Sequence, residues 1–167
     1  VCYVNSSARV KALSDICCTS SNAVNVVKSI PKNKKIIFIP DKYLGGYVQK
    51  QTGRELILWD GYCPIHATID VNDILRLKNE HPTAEVLVHP ECPPDVIDIA
   101  DEVTSTGGML KYVKKSQKKN FIIGTEIGII HRLKKENPNK NFYSAASNAI
   151  CPDMKLINLE KIFLSLE

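Results

Sequence analysis

Apolar runs of strand length alternate with stretches of helical period along the whole chain. Two runs stand out: Ile36-Ile37-Phe38-Ile39 after a lysine pair, and Leu56-Ile57-Leu58-Trp59. Both are continuous rather than alternating, the pattern of parallel strands covered by helices on both faces. The first half reads as strands at 1–5, 15–19, 35–40 and 55–59, with helices near 7–13, 21–30 and 41–51. Asp41 is a good N-cap behind Pro40, and Thr52-Gly53 ends the helix that follows.

The second half repeats the plan. A helix near 70–81 stops at Pro82, and a strand follows at 84–88. Pro93-Pro94 opens a helix to Asp101, as proline is tolerated in a first turn. A strand at 102–104 leads through Thr106-Gly107-Gly108 to a helix at 109–116. Strand 121–123, helix 127–136 and strand 141–143 come next, and Asn158 caps a terminal helix at 159–166. The class is therefore α/β: two repeated three-layer αβα domains with short parallel sheets, 1–68 and 69–167.

In open parallel sheets ligands bind beyond the C-terminal strand ends, and the polar clusters of this chain fall there. Seven can be read: Asn5-Ser6-Ser7, Thr19 to Asn22, Asp60 to Cys63, His89 to Cys92, Thr104 to Gly108, Gly124 to Glu126, and Ser147 to Cys151. Helix N-termini after several of them offer backbone N–H groups to phosphate or carboxylate. One shared site for an anionic ligand is implied.

Composition removes other classes. Hydrophobic residues make up 44% and charged residues 24%, ordinary for a soluble globular chain. No apolar run approaches the ~18 residues of a membrane helix, and the opening residues do not read as a secretory leader. The opening residues lack an initiator Met and read as a strand entered halfway, so a fragment is expected. Net charge is +4, but the densest basic stretch, Lys111 to Lys119, reads as a solvated helix end complementing the helix dipole. Neither a nucleic-acid nor a membrane partner is expected.

Cysteines stand at 2, 17, 18, 63, 92 and 151. The first three lie in strand-like runs and read as small buried hydrophobes. Cys63, Cys92 and Cys151 each precede Pro in a loop after a strand, which suits a reducing, cytoplasmic setting and a metal site better than disulfides. With no Cys-x-x-Cys pair, spacing alone does not specify a metal.

Taken in order, several motifs resemble the second and third domains of quinolinate synthase. Tyr3-Val4-Asn5-Ser6-Ser7-Ala8, Lys11-Ala12-Leu13-Ser14-Asp15 and Cys17 to Val24 match the opening of the second domain. Pro40-Asp41, Leu44-Gly45 and Trp59-Asp60-Gly61-Tyr62-Cys63-Pro64-Ile65-His66 match its end. His89-Pro90-Glu91-Cys92-Pro93, Ser105-Thr106, Gly124-Thr125-Glu126 and Cys151 to Lys155 match the third. The likeness covers nearly the whole chain, and a first domain is missing from it.

The resemblance implies a transferase of NAD biosynthesis. Such an enzyme condenses iminosuccinate with dihydroxyacetone phosphate to quinolinate, phosphate and water. It also implies three similar domains around a central [4Fe-4S] cluster, each supplying one Cys, here Cys63 and Cys151. An open iron would then act as a Lewis acid. Tyr3, Asn5, Ser20, His89, Glu91 and Thr106 become substrate contacts, with Glu91, His89 and Tyr3 catalytic and Glu91 the general base. The aspartate-oxidising enzyme that makes iminosuccinate becomes a functional partner. Without its first domain the chain is expected to be inactive.

Two other readings stay open: a non-catalytic phosphate- or carboxylate-binding module, and a zinc-bound structural protein using Cys63, His66, Cys92 and Cys151. His66 alone is unpersuasive, since one Cys and one His do not make a zinc site. His81 and His131 read as surface residues, and Tyr43 and Tyr47 as a helix packing pair.

Overall fold

The computed structural model describes all 167 residues. Its first half holds strands β1 (Cys2–Tyr3), β2 (Cys17–Cys18), β3 (Ile37–Phe38) and β4 (Ile57–Leu58). Helices α1 (Ala8–Ala12), α2 (Ala23–Ser29) and α3 (Lys42–Thr52) connect them. β1 pairs with β2 and β3 with β4, all parallel, and a parallel bridge from Cys2 to Ile39 joins the pairs. The resulting order is β2-β1-β3-β4.

The second half follows with α4 (Val71–Glu80), β5 (Glu85–Val88), α5 (Pro94–Asp98) and β6 (Glu102–Val103). Then come α6 (Thr106–Lys115), β7 (Asn120–Gly124), α7 (Ile129–Glu136), β8 (Asn141–Ser144) and α8 (Leu159–Leu164). Its parallel sheet runs β6-β5-β7-β8. Numbered within its own half, each sheet therefore has the order 2-1-3-4.

Alternation along the central strands distributes the core. In the second sheet Val86, Val88 and Ile122 face the side of α4 and α5, packing on Ile74 and Val96. Leu87, Phe121 and Ile123 face the other side, with Met109, Val113 and Leu133 of α6 and α7. Helices thus cover both faces, and three layers result.

The first sheet differs. Cys18, Ile36, Phe38 and Leu56 are buried with Ala23 and Val27 of α2 and Leu44 and Val48 of α3. The intervening residues point away: Cys17 is exposed, Ile37 is 59% and Ile57 55% exposed. Cys2, in register with Cys17 on the central strand, is fully buried on this face, but the expectation of a buried Cys17 fails. The short helix α1 on this side buries none of its residues.

Local signals act as their chemistry requires. The Asp41 carboxylate accepts from Leu44 N at 2.8 Å and caps α3, and Gly53, at φ 65°, closes it. Lys114 and Lys115 lie in the last turn of α6. That helix starts at Thr106, three residues before the predicted start, because Ser105 accepts from Gly108 N and both glycines enter its first turn. The strands of the first sheet are two residues each, shorter than their apolar runs.

Candidate functional site

The C-terminal ends of both sheets converge on one buried polar chain centred on Glu91. Its Oε2 atom lies 3.1 Å from His89 Nδ1, 3.4 Å from His66 Nδ1 and 3.5 Å from the Tyr3 hydroxyl. Tyr3, at the end of β1, in turn accepts a hydrogen bond from the Asn5 amide at 3.0 Å. His89 follows β5 directly, and its Nε2 lies 3.2 Å from the Ser20 hydroxyl in the turn before α2. Glu91, His89 and Tyr3 are 4%, 3% and 6% exposed, so the chain is largely shut off from water.

Two cavities flank this chain. The larger, about 810 Å³, is lined by Tyr3, Asn5, Asp41, Cys63, Glu91 and Cys151, among others. The smaller, about 510 Å³, is lined by Ser20, Ser105, Thr106, Gly107, Gly108 and Lys111. His89 links them, touching Glu91 on one side and Ser20 on the other. The smaller cavity is predominantly polar and carries a lysine, hydroxyls and the opening backbone of α6, a donor set suited to a phosphate or carboxylate.

Each cysteine of the larger cavity sits in a braced loop. The Cys63 amide donates to the second Asp41 oxygen at 2.8 Å, so one carboxylate both starts α3 and fixes this loop. Gly61 is required in it, since a Cβ there would overlap the Pro40 carbonyl oxygen. Near Cys151, Ile127 N donates to Ala149 O at 2.9 Å. Glu126 accepts from Gly128 N at 2.7 Å and pairs with Lys155 at 3.2 Å. The Gly124-Thr125-Glu126 turn is thereby tied to the Cys151 segment.

Burial governs the electrostatics. It pushes the Asp41 carboxyl up to about 6, with Glu91 adding to the rise and amide donors opposing it. It raises the Tyr3 phenol well above its ordinary value, reinforced by the charge of Glu91, so the hydroxyl keeps its proton. The Cys63 thiol is raised by the same desolvation. His66 is lowered to about 4 by burial and by the neighbouring His89, and is neutral at pH 7.

His66 belongs to this site although its sequence context did not say so. Its ring stacks on His89 at 4.5 Å, and its Nε2 lies 2.9 Å from the Thr125 hydroxyl, 59 residues away. A proton on Nδ1 avoids setting a bare lone pair against Glu91, leaving Nε2 to accept from Thr125. Cys63, His66 and Glu91 place one donor atom each within 4.8 Å of one another. Cys92 is not with them: it is fully buried among core residues, where its thiol donates to Gly124 O. The four zinc ligands of the alternative reading are therefore not assembled.

The remaining candidates stand apart. His131 is exposed on α7, while His81 is half-buried and stacks on Tyr143 at 3.7 Å. Tyr43 packs on Tyr62 rather than Tyr47, whose hydroxyl donates to Val103 O.

The family model for Quinolinate synthetase A protein matches residues 1–167. The chain belongs to that family. It is 52% identical over 167 residues to a quinolinate synthase of Methanosarcina barkeri and 53% to one of Dehalococcoides mccartyi. With one of Desulforudis audaxviator it shares 54% over 162 residues. The alignments cover 97–100% of this chain and 54–55% of each relative. The chain spans about half the length of the curated relatives it matches.

Proposed function

We propose that this chain is the part of a quinolinate synthase that binds the triose phosphate and carries the general base. The reaction joins iminosuccinate to dihydroxyacetone phosphate and releases quinolinate, phosphate and two waters. The observation that carries this reading is the polar chain from Asn5 and Tyr3 through Glu91 and His89 to Ser20. It runs from a cavity holding two free cysteines to one built for an anion.

In this reading Ser20, Thr106 and Lys111 hold the phosphate in the smaller cavity. Glu91 takes protons from the carbon and nitrogen skeleton that lies in the larger one. The Tyr3 phenol, kept protonated by burial, returns a proton or hydrogen-bonds a leaving hydroxyl. His89 and the neutral His66 orient the carboxylate from both sides. Asn5 fixes the Tyr3 hydroxyl. All these groups are set before substrate arrives, which is where positioning contributes most.

The donor set also suits a [4Fe-4S] cluster. Cys63 and Cys151 are free, half-buried and line the same cavity, and thiolates are the usual cluster ligands. Bound there, with a further ligand from the polypeptide outside this chain, the cluster would supply a Lewis-acidic iron for substrate oxygen or nitrogen. Six unpaired cysteines fit a reducing, cytoplasmic setting, and no helix is long and apolar enough to cross a membrane. The enzyme that oxidises aspartate to iminosuccinate is the functional partner.

The test joins these residues, in the order of the Methanosarcina barkeri relative, to the portion of it they do not cover. Assayed anaerobically with both substrates, the joined protein should form quinolinate. Ser20→Ala with Thr106→Ala should raise KM for dihydroxyacetone phosphate more than it lowers kcat. A joined protein that holds iron but forms no quinolinate would refute the assignment, and an unchanged KM would remove the smaller cavity from phosphate binding.

A further inference from the structure

Cys63 and His66 stand three residues apart after β4, and Glu91 reaches them from the other half of the chain. The Cys63 thiol, a His66 ring nitrogen and a Glu91 carboxylate oxygen all lie within 4.8 Å of one another. His66 Nδ1 is 3.4 Å from Glu91 Oε2 but is not aligned for a hydrogen bond, and it is shut off from water. A buried polar nitrogen without a hydrogen-bond partner is costly, so its presence calls for a reason. Proton transfer by Glu91 and cluster ligation by Cys63 do not supply one.

The three atoms form a donor set for zinc. Nitrogen and oxygen ligands of a tetrahedral zinc ion, each about 2.0 Å from the metal, sit about 3.3 Å apart. The His66–Glu91 pair is already at 3.4 Å. The thiol has to close by about 1.3 Å at most, and Cys63 is half-buried beside the larger cavity, where its side chain can turn. Thiolate and carboxylate together cancel the charge of the ion, so the buried site carries none in excess. His66 is neutral, as a metal ligand must be. Its Nε2, 2.9 Å from the Thr125 hydroxyl, would hold the ring proton and donate to that oxygen, the outer bond that fixes a metal-binding imidazole.

We infer that the cluster-free protein binds one zinc ion through Cys63 Sγ, His66 Nδ1 and the Glu91 carboxylate, and that zinc and the cluster exclude one another. Binding releases one proton, from the Cys63 thiol, and water from the larger cavity takes the fourth position. This is an open three-ligand site, distinct from the four-ligand structural one that the fold does not assemble. The ion links the Cys63 loop of the first half to the β5 end of the second, so it stabilises the folded chain. It also ties up the general base, and a zinc-loaded protein is therefore inactive. Zinc binding rests on geometry alone, whereas the exclusion rests on the reading of Cys63 as a cluster ligand.

The test titrates the reduced, metal-free 167-residue chain with zinc chloride against a chromophoric chelator, under anaerobic conditions. About one zinc per chain should bind and raise the thermal midpoint. Cys63→Ser and His66→Gln should each weaken binding by more than about 100-fold, and Thr125→Val by about tenfold, as for an outer-shell partner. Cys92→Ser and Cys151→Ser should leave the affinity unchanged. Cobalt in place of zinc should give a thiolate charge-transfer band that disappears in Cys63→Ser and survives in Cys151→Ser. Failure to retain zinc would overturn the inference, as would equal affinity in Cys63→Ser, or a loss in Cys151→Ser as large as in Cys63→Ser. If His66→Gln loses slow hydrogen exchange at β7, Cys63→Ser, a change in a half-buried loop, decides alone. In the joined protein, iron and sulfide should enter only as zinc leaves. Full iron loading with zinc still bound would overturn the exclusion and remove Cys63 from the cluster ligands, while the zinc site would stand.

Discussion

Glu91 is the residue on which most of the site depends, because one of its oxygens faces two imidazoles and a phenol at 3.1–3.5 Å. No other carboxylate has that combination: Glu126 is buried too, but spends one oxygen on Gly128 N and meets Lys155 with the other. Glu91→Gln in the joined protein should therefore keep its iron and still bind triose phosphate through Ser20 and Thr106. Turnover should drop by about 10²–10⁴-fold, the loss typical of a removed general base. Steady-state rates with the absorbance of the metal centre check this; near-normal turnover would take Glu91 out of the chemistry. At this scale the sequence was legible wherever residues sit in strand-end motifs. Tyr3, Asn5, Ser20, His89 and Glu91 do, and the structure brings them together. His66 was illegible because its partners, Thr125 and Glu91, are far away in sequence and only the fold makes them neighbours. Cys17 was misread because an apolar strand looks the same whether or not its second face is covered.

Among the elements, α3 and the Cys63 loop share a single anchor. Asp41 accepts from Leu44 N with one oxygen and Cys63 N with the other, inside a setting that raises its carboxyl from 3.8 to about 6. Between those values the folded chain holds a proton that the unfolded chain has released. The group's contribution is thus fully present below about pH 3.8 and lost as pH rises through about 6. Asp41→Asn has no such proton to take up. On acidification from pH 7 to 4 the wild-type chain should gain on this variant by about 2.4 kcal/mol, most of the shift at ~1.4 kcal/mol per unit of pKa. Paired urea melts across that range measure the gap, and all unchanged groups cancel. A gap independent of pH would mean the carboxyl titrates at its ordinary value. Asp41 was readable as a cap from its place after Pro40, and Gly53 as a stop. Its second role was not, since nothing local links position 41 to the amide of Cys63. The start of α6 was misplaced for a related reason: Gly107-Gly108 suggests a loop until Ser105 is seen capping over them.

For the whole molecule, the order of alternating strands and helices was enough to read an α/β chain with repeated halves. What it could not show is how the halves share a site, because Cys63 and Cys151 are 88 positions apart and meet only through a common cavity. That arrangement sets the last expectation. Two thiols facing one cavity can begin to hold a four-iron cluster but cannot enclose it, so the 167-residue chain should retain little iron under anaerobic reconstitution. The joined protein should retain about four irons. Within it, Cys63→Ser and Cys151→Ser should each lose the cluster, read as iron, sulfide and visible absorbance. Cys92→Ser should keep it, despite the same Cys-Pro context. Cys92 is fully buried, and burial raises its thiol to about 12. It is a core group bonded to Gly124 O, and a hydroxyl in its place should cost about 1–3 kcal/mol of stability rather than metal. Loss of iron on changing Cys92 with retention on changing Cys151 would reverse the ligand assignment. A stable four-iron cluster on the 167-residue chain alone would show that two cysteines suffice, or that His66 and Glu91, already beside Cys63, complete the set.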